Sequence, residues 1–346
     1  MNDLTELTQD GYWVPPKGLP VTELLNGLRA MIIGRRLDQQ ASNLAKQGYL
    51  RVYPSSLGQE ACQVAAAQSL GPNDWLFPTY RDSVAMFTHQ VKPVEALTML
   101  RGDWHCGFNP KAARCAPHAT PLATQCAHAV GLAMAARKTG EDRVAMALCG
   151  DGATSEGDFH EALNLAAVFD APVVFFVQHN GYAISVRSDR QCRATSLADK
   201  AAGYGIRGER VDGNDLIATL SVLKNAVEHA RVGRGPVLVE ARTYRLAPHT
   251  NADDPSRYRN AEEAQDWLQR DPIELLTNHL RSEGHLTDET LKRIAKVADE
   301  QTTELRKTVM AVPPADPSRV FANVYADPPP HFLAQQDEAL LEELST

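Results

Sequence analysis

A parallel α/β sheet with helices on both of its faces is the fold this sequence predicts, and three adjoining stretches predict it. Val144-Ala145-Met146-Ala147-Leu148-Cys149 is an apolar run of strand length, and a helix is expected from about Glu156 to Phe169. Val173–Val177 is a second apolar run, β-branched and aromatic, which favours a buried strand over a helix. Strand, helix and strand at this spacing make a βαβ unit, and such a unit requires parallel strands.

The other elements follow in chain order. Residues 1–21 read as an extended arm, because Pro15, Pro16 and Pro20 oppose helix. From Thr22 the apolar positions Leu24, Leu28, Met31/Ile32 and Leu37 recur at helical spacing, and Gly48 closes that helix. Ser56-Leu57-Gly58-Gln59 fits a capping box for a second helix ending at Gly71-Pro72. Residues 102–120, rich in Gly, Pro, Cys and His, are expected to be irregular, and Ala127–Arg137 to be a buried helix of small residues. A helix near Asp215–Val232 and a strand at Pro236–Arg242 continue the alternation. Pro248–Asn260 is a polar loop, helices fill much of 261–310, and Pro328-Pro329-Pro330 precedes a short acidic tail. The expected parts are thus the arm 1–21, an α/β domain over 22–310 and a tail over 311–346.

Composition narrows the function. The 346 residues carry a net charge of −8, from 35 basic and 43 acidic side chains. No basic excess exists to neutralise nucleic-acid or membrane phosphates. The six cysteines form no Cys-x-x-Cys pair, and a chain of this length needs no disulfide staples, so reduced thiols are expected. Trp104–His128 holds three cysteines and three histidines, but without the tight, regular spacing of structural zinc sites. The N-terminus lacks the cationic start and apolar run of a signal peptide, and no stretch approaches a membrane span. These features point to a cytoplasmic protein.

Parallel sheets place functional groups at the carboxyl ends of their strands. Here two neighbouring strand ends carry Asp151 and Asn180. A carboxylate, an amide oxygen and a nearby backbone carbonyl are hard ligands of the kind magnesium takes in an octahedral shell, and magnesium usually completes that shell from phosphate and water. The half-filled donor set therefore implies a phosphorylated ligand. Gly150 and Gly152 would let the backbone approach it, and the helix beginning near Ser155-Glu156 offers an anion-friendly N-terminus. Gly-Asp-Gly alone is also common in turns. Taken singly, Tyr80 reads as a core aromatic, Arg81 as a surface cation and His249 as a loop residue.

Gly150-Asp151-Gly152 followed by Gln178-His179-Asn180-Gly181-Tyr182 resembles the thiamine-diphosphate signature. The longer strings Gly150–Asp158 and Asn180–Ser185 resemble the α subunits of 2-oxo acid dehydrogenase first components. Leu57–Ala61, Thr79-Tyr80-Arg81, Pro121–Gln125, Val211–Asn214 and Pro248–Arg259 match that family in order, so the resemblance spans roughly residues 22–310. It implies a three-layer thiamine-diphosphate-binding fold, with a parallel sheet between helical layers.

The resemblance also implies roles. Asp151 and Asn180 would ligate Mg2+ by side chain and Tyr182 by its carbonyl. Tyr80 and Arg81 would hold the diphosphate, Leu122 and Ile184 would support the bent cofactor, and His249 would act near the reacting carbon. In such enzymes a 2-oxo acid is decarboxylated and the acyl fragment passes to a lipoyl group on a separate acyltransferase. The activating glutamate comes from a β subunit, so an α2β2 working unit is implied. Glu60, within a capped helix, reads as structural or as a subunit contact rather than as that glutamate.

Several positions depart from the family pattern. The first residue of the asparagine pair is His179, Gln178 stands where some branched-chain relatives carry a phosphate-binding arginine, and Thr250 replaces a regulatory serine. Ala119 replaces a serine that helps bind potassium in branched-chain relatives, while Thr124 and Gln125 keep part of that potassium (K+) pattern. Pro121–Gln125 looks more like branched-chain enzymes and Pro248–Arg259 more like bacterial pyruvate enzymes. Acetoin dehydrogenases share the cofactor motifs. The reading leans to pyruvate. Two rival readings fit the residues less well. A nucleotide-dependent magnesium enzyme lacks its Gly-x-Gly-x-x-Gly or Walker loop here. A non-catalytic scaffold subunit has no reason to retain Tyr80, Arg81, Asp151, Asn180 and His249 together.

Overall fold

All seven residues of Val173–His179 are buried, as a strand covered on both faces must be. The computed structural model that shows this describes residues 18–313, 318–322 and 324–344. Most of the expected arm, residues 1–17, lies outside them, as does part of the expected tail.

In chain order the elements are α1 (Val21–Lys46), α2 (Glu60–Ser69), β1 (Trp75–Phe77), α3 (Ser83–Thr88), α4 (Pro93–Ala96), α5 (Pro110–Ala113), α6 (Thr124–Thr139), β2 (Ala145–Gly150), α7 (Gly157–Val168) and β3 (Val173–His179). There follow a small hairpin of β4 (Tyr182–Ala183) and β5 (Val186–Arg187), then α8 (Ser188–Gln191), β6 (Arg207–Asp212), α9 (Leu216–Arg231) and β7 (Val237–Arg242). The C-terminal part is helical: α10 (Ala261–Leu268), α11 (Pro272–Ser282), α12 (Asp288–Ala311), α13 (Ser318–Ala322) and α14 (Pro330–Leu344).

Five strands pair in parallel in the order β1-β2-β3-β7-β6. The two-residue period of a strand splits the core in two. Met146 and Leu148 of β2, with Val174 and Phe176 of β3, join the apolar layer built with α1, α2, α9 and α11. Ala145, Ala147 and Cys149, with Val173, Phe175 and Val177, join the layer built with α6, α7 and the 3-10 segment Leu197–Tyr204. Three layers result, as the sequence predicts. A third apolar cluster, with Leu37, Leu44, Tyr53, Leu100, Leu305 and Val309, seats α12 on α1.

Several expectations need correction. The capping box at Ser56–Gln59 does not form. Glu60 is the first residue of α2, Gln59 makes no capping bond, and the Ser56 hydroxyl donates instead to the Arg81 carbonyl at 2.7 Å. The helix expected over 127–137 starts at Thr124 and is only half-buried, with Ala127, His128, Gly131 and Ala135 exposed. Two strands escaped the apolar pattern. β1 is only three residues long, and β6 (Arg-Gly-Glu-Arg-Val-Asp) is a polar edge strand paired on one side only. The acidic tail holds α14, which contacts α13 through the rings of Phe332 and Phe321.

All six cysteines are free, and among the described residues no group of three or more His, Cys, Asp or Glu could hold a metal ion. No helix among them is long and apolar enough to cross a membrane.

Candidate active site

The register of the central strands builds the site. Gly150 at the end of β2 pairs with Gln178 of β3, so the residues that follow, Asp151 and Asn180, leave the sheet side by side. Asp151 opens a 3-10 turn (Asp151–Ser155), and after Asn180 the chain turns through Gly181, at φ +89°, into the β4–β5 hairpin. Between them lies a cavity of about 360 Å3. Tyr80, Arg81, Leu122, Gly150, Asp151, Gly152, Asn180, Tyr182, Ile184 and His249 all line it. Residues from five segments, up to 169 positions apart in sequence, thus meet at one place.

Asp151 is 3% exposed, and neither of its carboxylate oxygens has a hydrogen-bond partner. Burial pushes its carboxyl above the usual range. A buried carboxylate without a donor is costly unless it is neutralised or meets a cation. Asn180, also buried, donates its Nδ2 to Gln59 Oε1 at 3.0 Å and accepts the Tyr182 N–H on Oδ1 at 3.2 Å. The amide therefore turns its oxygen, not its nitrogen, to the open side. Carboxylate and amide oxygen are the hard donors a divalent magnesium ion requires. Gly152 serves the chain itself, because a Cβ there would come within 2.8 Å of the Ala183 Cβ in the hairpin. A Cβ at Gly150 would meet nothing within 4 Å, so that glycine keeps space open in the cavity wall.

The opposite wall is cationic. Arg81 is buried, with Nη1 donating to the Ser55 carbonyl at 2.8 Å and Nη2 lying 3.0 Å from both His249 Nδ1 and the His249 carbonyl. Arg245, which sequence reasoning missed, is still more buried. Its Nη1 lies 3.0 Å from the same Nδ1, and its Nη2 donates to the Ile184 carbonyl at 2.8 Å. A guanidinium can only donate, so His249 Nδ1 must accept, and the imidazole is neutral with its proton on Nε2. Burial, then Arg81, then Arg245 push the His249 pKa down to about 4. Burial and the neighbouring Arg245 likewise bring Arg81 down to about 10. Two buried guanidiniums at one wall favour an anionic ligand. Tyr80 sets its ring edge-to-face with His249 at 6.1 Å.

Leu122 and Ile184 form the rim, 37% and 56% exposed. Ile184 takes φ +55° in the two-residue turn of the hairpin, and Ala123, beside Leu122, takes φ +65°. A β-branched residue in the left-handed region is strained by about 1–3 kcal/mol, and such strain collects at functional sites.

The chain matches the family model for the dehydrogenase E1 component over residues 28–318. It is 46% identical over 312 residues to the 3-methyl-2-oxobutanoate dehydrogenase subunit alpha of Mycobacterium tuberculosis, covering 90% of this chain and 85% of that one. With the pyruvate dehydrogenase E1 component subunit alpha of Staphylococcus aureus it shares 38% over 263 residues, covering 76% and 71%. This chain belongs to the dehydrogenase E1 component family. It is an α subunit of a thiamine-diphosphate-dependent 2-oxo acid dehydrogenase, the class its motifs resemble.

The departures noted in the sequence take physical form in this E1 α chain. His179 is held between Glu240 and Arg242, with Nδ1 2.6 Å from Glu240 Oε1 and Nε2 2.7 Å from Arg242 Nη1. Arg242 forces Nε2 to accept, so Nδ1 carries the proton and donates to Glu240. Burial pushes the Glu240 carboxyl up, but donors from His179, Ser196 and the Ala198 N–H outweigh it and hold the pKa at about 2. The histidine thus orders the strand end that delivers Asn180. Gln178 points inward, donating Nε2 to Asp82 Oδ1 at 2.6 Å and accepting from Gln59 Nε2 at 2.9 Å. Gln59 and Asp82 were also missed. Glu60 is structural, its two oxygens taken by Arg35 Nε at 2.7 Å and the Gly58 N–H at 3.0 Å.

Proposed function

We propose that this E1 α chain holds thiamine diphosphate through Mg2+ bound by Asp151, Asn180 and the Tyr182 carbonyl, with the diphosphate against Tyr80 and Arg81. The observation that carries this reading is the Asp151 carboxylate, buried, without any donor, and beside an amide whose oxygen is turned to the same cavity. When bound, thiamine diphosphate supplies the electron sink for decarboxylating a 2-oxo acid. The chain's own residues do the rest. Leu122 and Ile184 support the cofactor from the rim. Arg81 and Arg245 hold His249 neutral, with a donating Nε2–H available to an oxygen of the substrate or acyl group. Gln125, whose Nε2 donates to the Leu148 carbonyl at 2.7 Å, keeps its oxygen for a cation, and K+ near Thr124 and Gln125 is part of the reading.

The working unit is an α2β2 assembly with a β subunit, in the cytoplasm, delivering the acyl group to a lipoyl-bearing acyltransferase. Residues 22–310 form its cofactor-binding part. For the substrate, the greater identity to a branched-chain relative, 46% against 38%, moves the reading from pyruvate to 3-methyl-2-oxobutanoate and its analogues. Calorimetric titration of thiamine diphosphate into the chain co-expressed with its β subunit tests the site. Mg2+-dependent binding that disappears in Asp151→Ala and Asn180→Ala is expected, and no binding by a folded complex overturns the reading. A panel of 2-oxo acids tests the substrate, where a marked preference for pyruvate overturns the branched-chain assignment.

A further inference from the structure

Asp82 is fully buried: its Oδ2 accepts the Thr79 N–H at 2.7 Å and its Oδ1 accepts Gln178 Nε2 at 2.6 Å. From Gln178 the bonds continue in one direction. Gln59 Nε2 donates to Gln178 Oε1 at 2.9 Å, and Asn180 Nδ2 donates to Gln59 Oε1 at 3.0 Å. Each amide has one donating and one accepting end, whereas an ionised carboxylate can only accept. The carboxylate therefore sets the direction of every amide after it. We infer that Asp82, acting through Gln178 and Gln59, is a positioning residue that fixes which end of the Asn180 amide faces the metal position.

This inference rests on the reading that Asp151 and Asn180 bind Mg2+. It explains why four polar side chains, each at most 6% exposed, are threaded between α2, α3 and the end of β3. Fully satisfied polar networks of this kind rigidify what they touch, and partners behind a metal ligand set its orientation. It also gives Gln178 a task distinct from that of a phosphate-binding side chain.

The direction of the relay can be reversed chemically. In Asp82→Asn the Thr79 N–H keeps the carbonyl oxygen on its own side, so the new NH2 group meets Gln178 Nε2, a donor against a donor. Turning Gln178 to relieve this transfers the conflict to Gln59 and then to Asn180, whose nitrogen would face the cation and the Tyr182 N–H. In the double variant Asp82→Asn with Gln178→Glu the new carboxylate at position 178 accepts from both neighbours, and the direction from Gln59 onward is restored at unchanged total charge.

The experiment is calorimetric measurement of the Mg2+ concentration that half-saturates thiamine diphosphate binding, on the chain co-expressed with its β subunit, with thermal unfolding run in parallel. Asp82→Asn is expected to raise that concentration about ten- to hundred-fold, and the double variant to bring it back toward wild type. An Asp82→Asn titration identical to wild type, or a double variant no better than the single one, overturns the relay. Should Asp82→Asn fail to fold, Gln178→Met cuts the relay without moving a charge. Weaker Mg2+ dependence then supports the inference, and an unaltered one overturns it. Wild-type complex that binds no thiamine diphosphate with Mg2+ overturns the underlying metal assignment instead, a result distinct from either.

Discussion

At Asp151, stability and the proposed metal binding pull in opposite directions. Its buried carboxylate has no donor, and burial already pushes its pKa up, so the metal-free fold is destabilised by keeping it charged. Asp151→Asn is expected to stabilise the metal-free chain by on the order of 1–3 kcal/mol while abolishing Mg2+-dependent cofactor binding. Thermal unfolding with and without Mg2+ checks both halves, and a destabilised metal-free variant would refute the first. His249 gives a pH-dependent signature. Its pKa of about 4 lies below the ordinary histidine value, so the folded state favours the neutral ring. As pH falls from the ordinary value toward 4 the unfolded chain takes up a proton that the folded one does not, and stability declines across that window. The His249 ring resonance should titrate near 4 by NMR and move upward in Arg245→Met. Titration at the ordinary value would show that the two guanidiniums do not hold Nδ1.

At the scale of elements, the loop between α1 and α2 depends on Gly58. Its φ of +93° suits glycine, and a Cβ there would come within 2.5 Å of the Tyr244 carbonyl oxygen. Its N–H donates to Glu60, and its carbonyl accepts the Thr243 hydroxyl at 3.0 Å. These contacts pin the start of α2 to the segment after β7 and so place Gln59 beside Asn180. Gly58→Ala combines backbone strain with a backbone collision and is expected to cost on the order of 2–4 kcal/mol. Chemical denaturation measures that cost, and a loss below the lower bound would mean that the loop moves aside. The β4–β5 hairpin is the complementary device, since its strained Ile184 and the Gly152–Ala183 approach bring apolar side chains to the cavity rim.

For the whole molecule, the cavity is open on the side of Leu122 and Ile184, and α7 leaves Leu165 and Val168 exposed at 42% and 69%. Under the proposed function, so open a rim would hold only part of the cofactor. The chain alone is expected to show no decarboxylation with an artificial electron acceptor, and mixing with the β subunit to restore it. Hydrogen exchange should then show protection of the hairpin Tyr182–Arg187 on mixing. Full activity of the α chain alone would overturn the two-chain requirement.

The sequence by itself determined the βαβ centre, because Val144–Cys149 and Val173–Val177 must be buried on both faces whatever surrounds them. It also placed Asp151 and Asn180 at neighbouring strand ends, by local pattern alone. It could not show β1 or β6, whose three residues and polar edge composition leave no apolar signal. Nor could it show Arg245, whose charge reads as surface until the fold buries it, or Gln59, whose spacing from Ser56 imitates a helix cap. Those side chains act through distant partners, Gln59 bonding Asn180 across 121 positions and Arg245 bonding Ile184 across 61. Local periodicity carries which residues are buried. The partners a buried polar group must find are chosen only when distant segments meet, and here the tertiary structure made that choice.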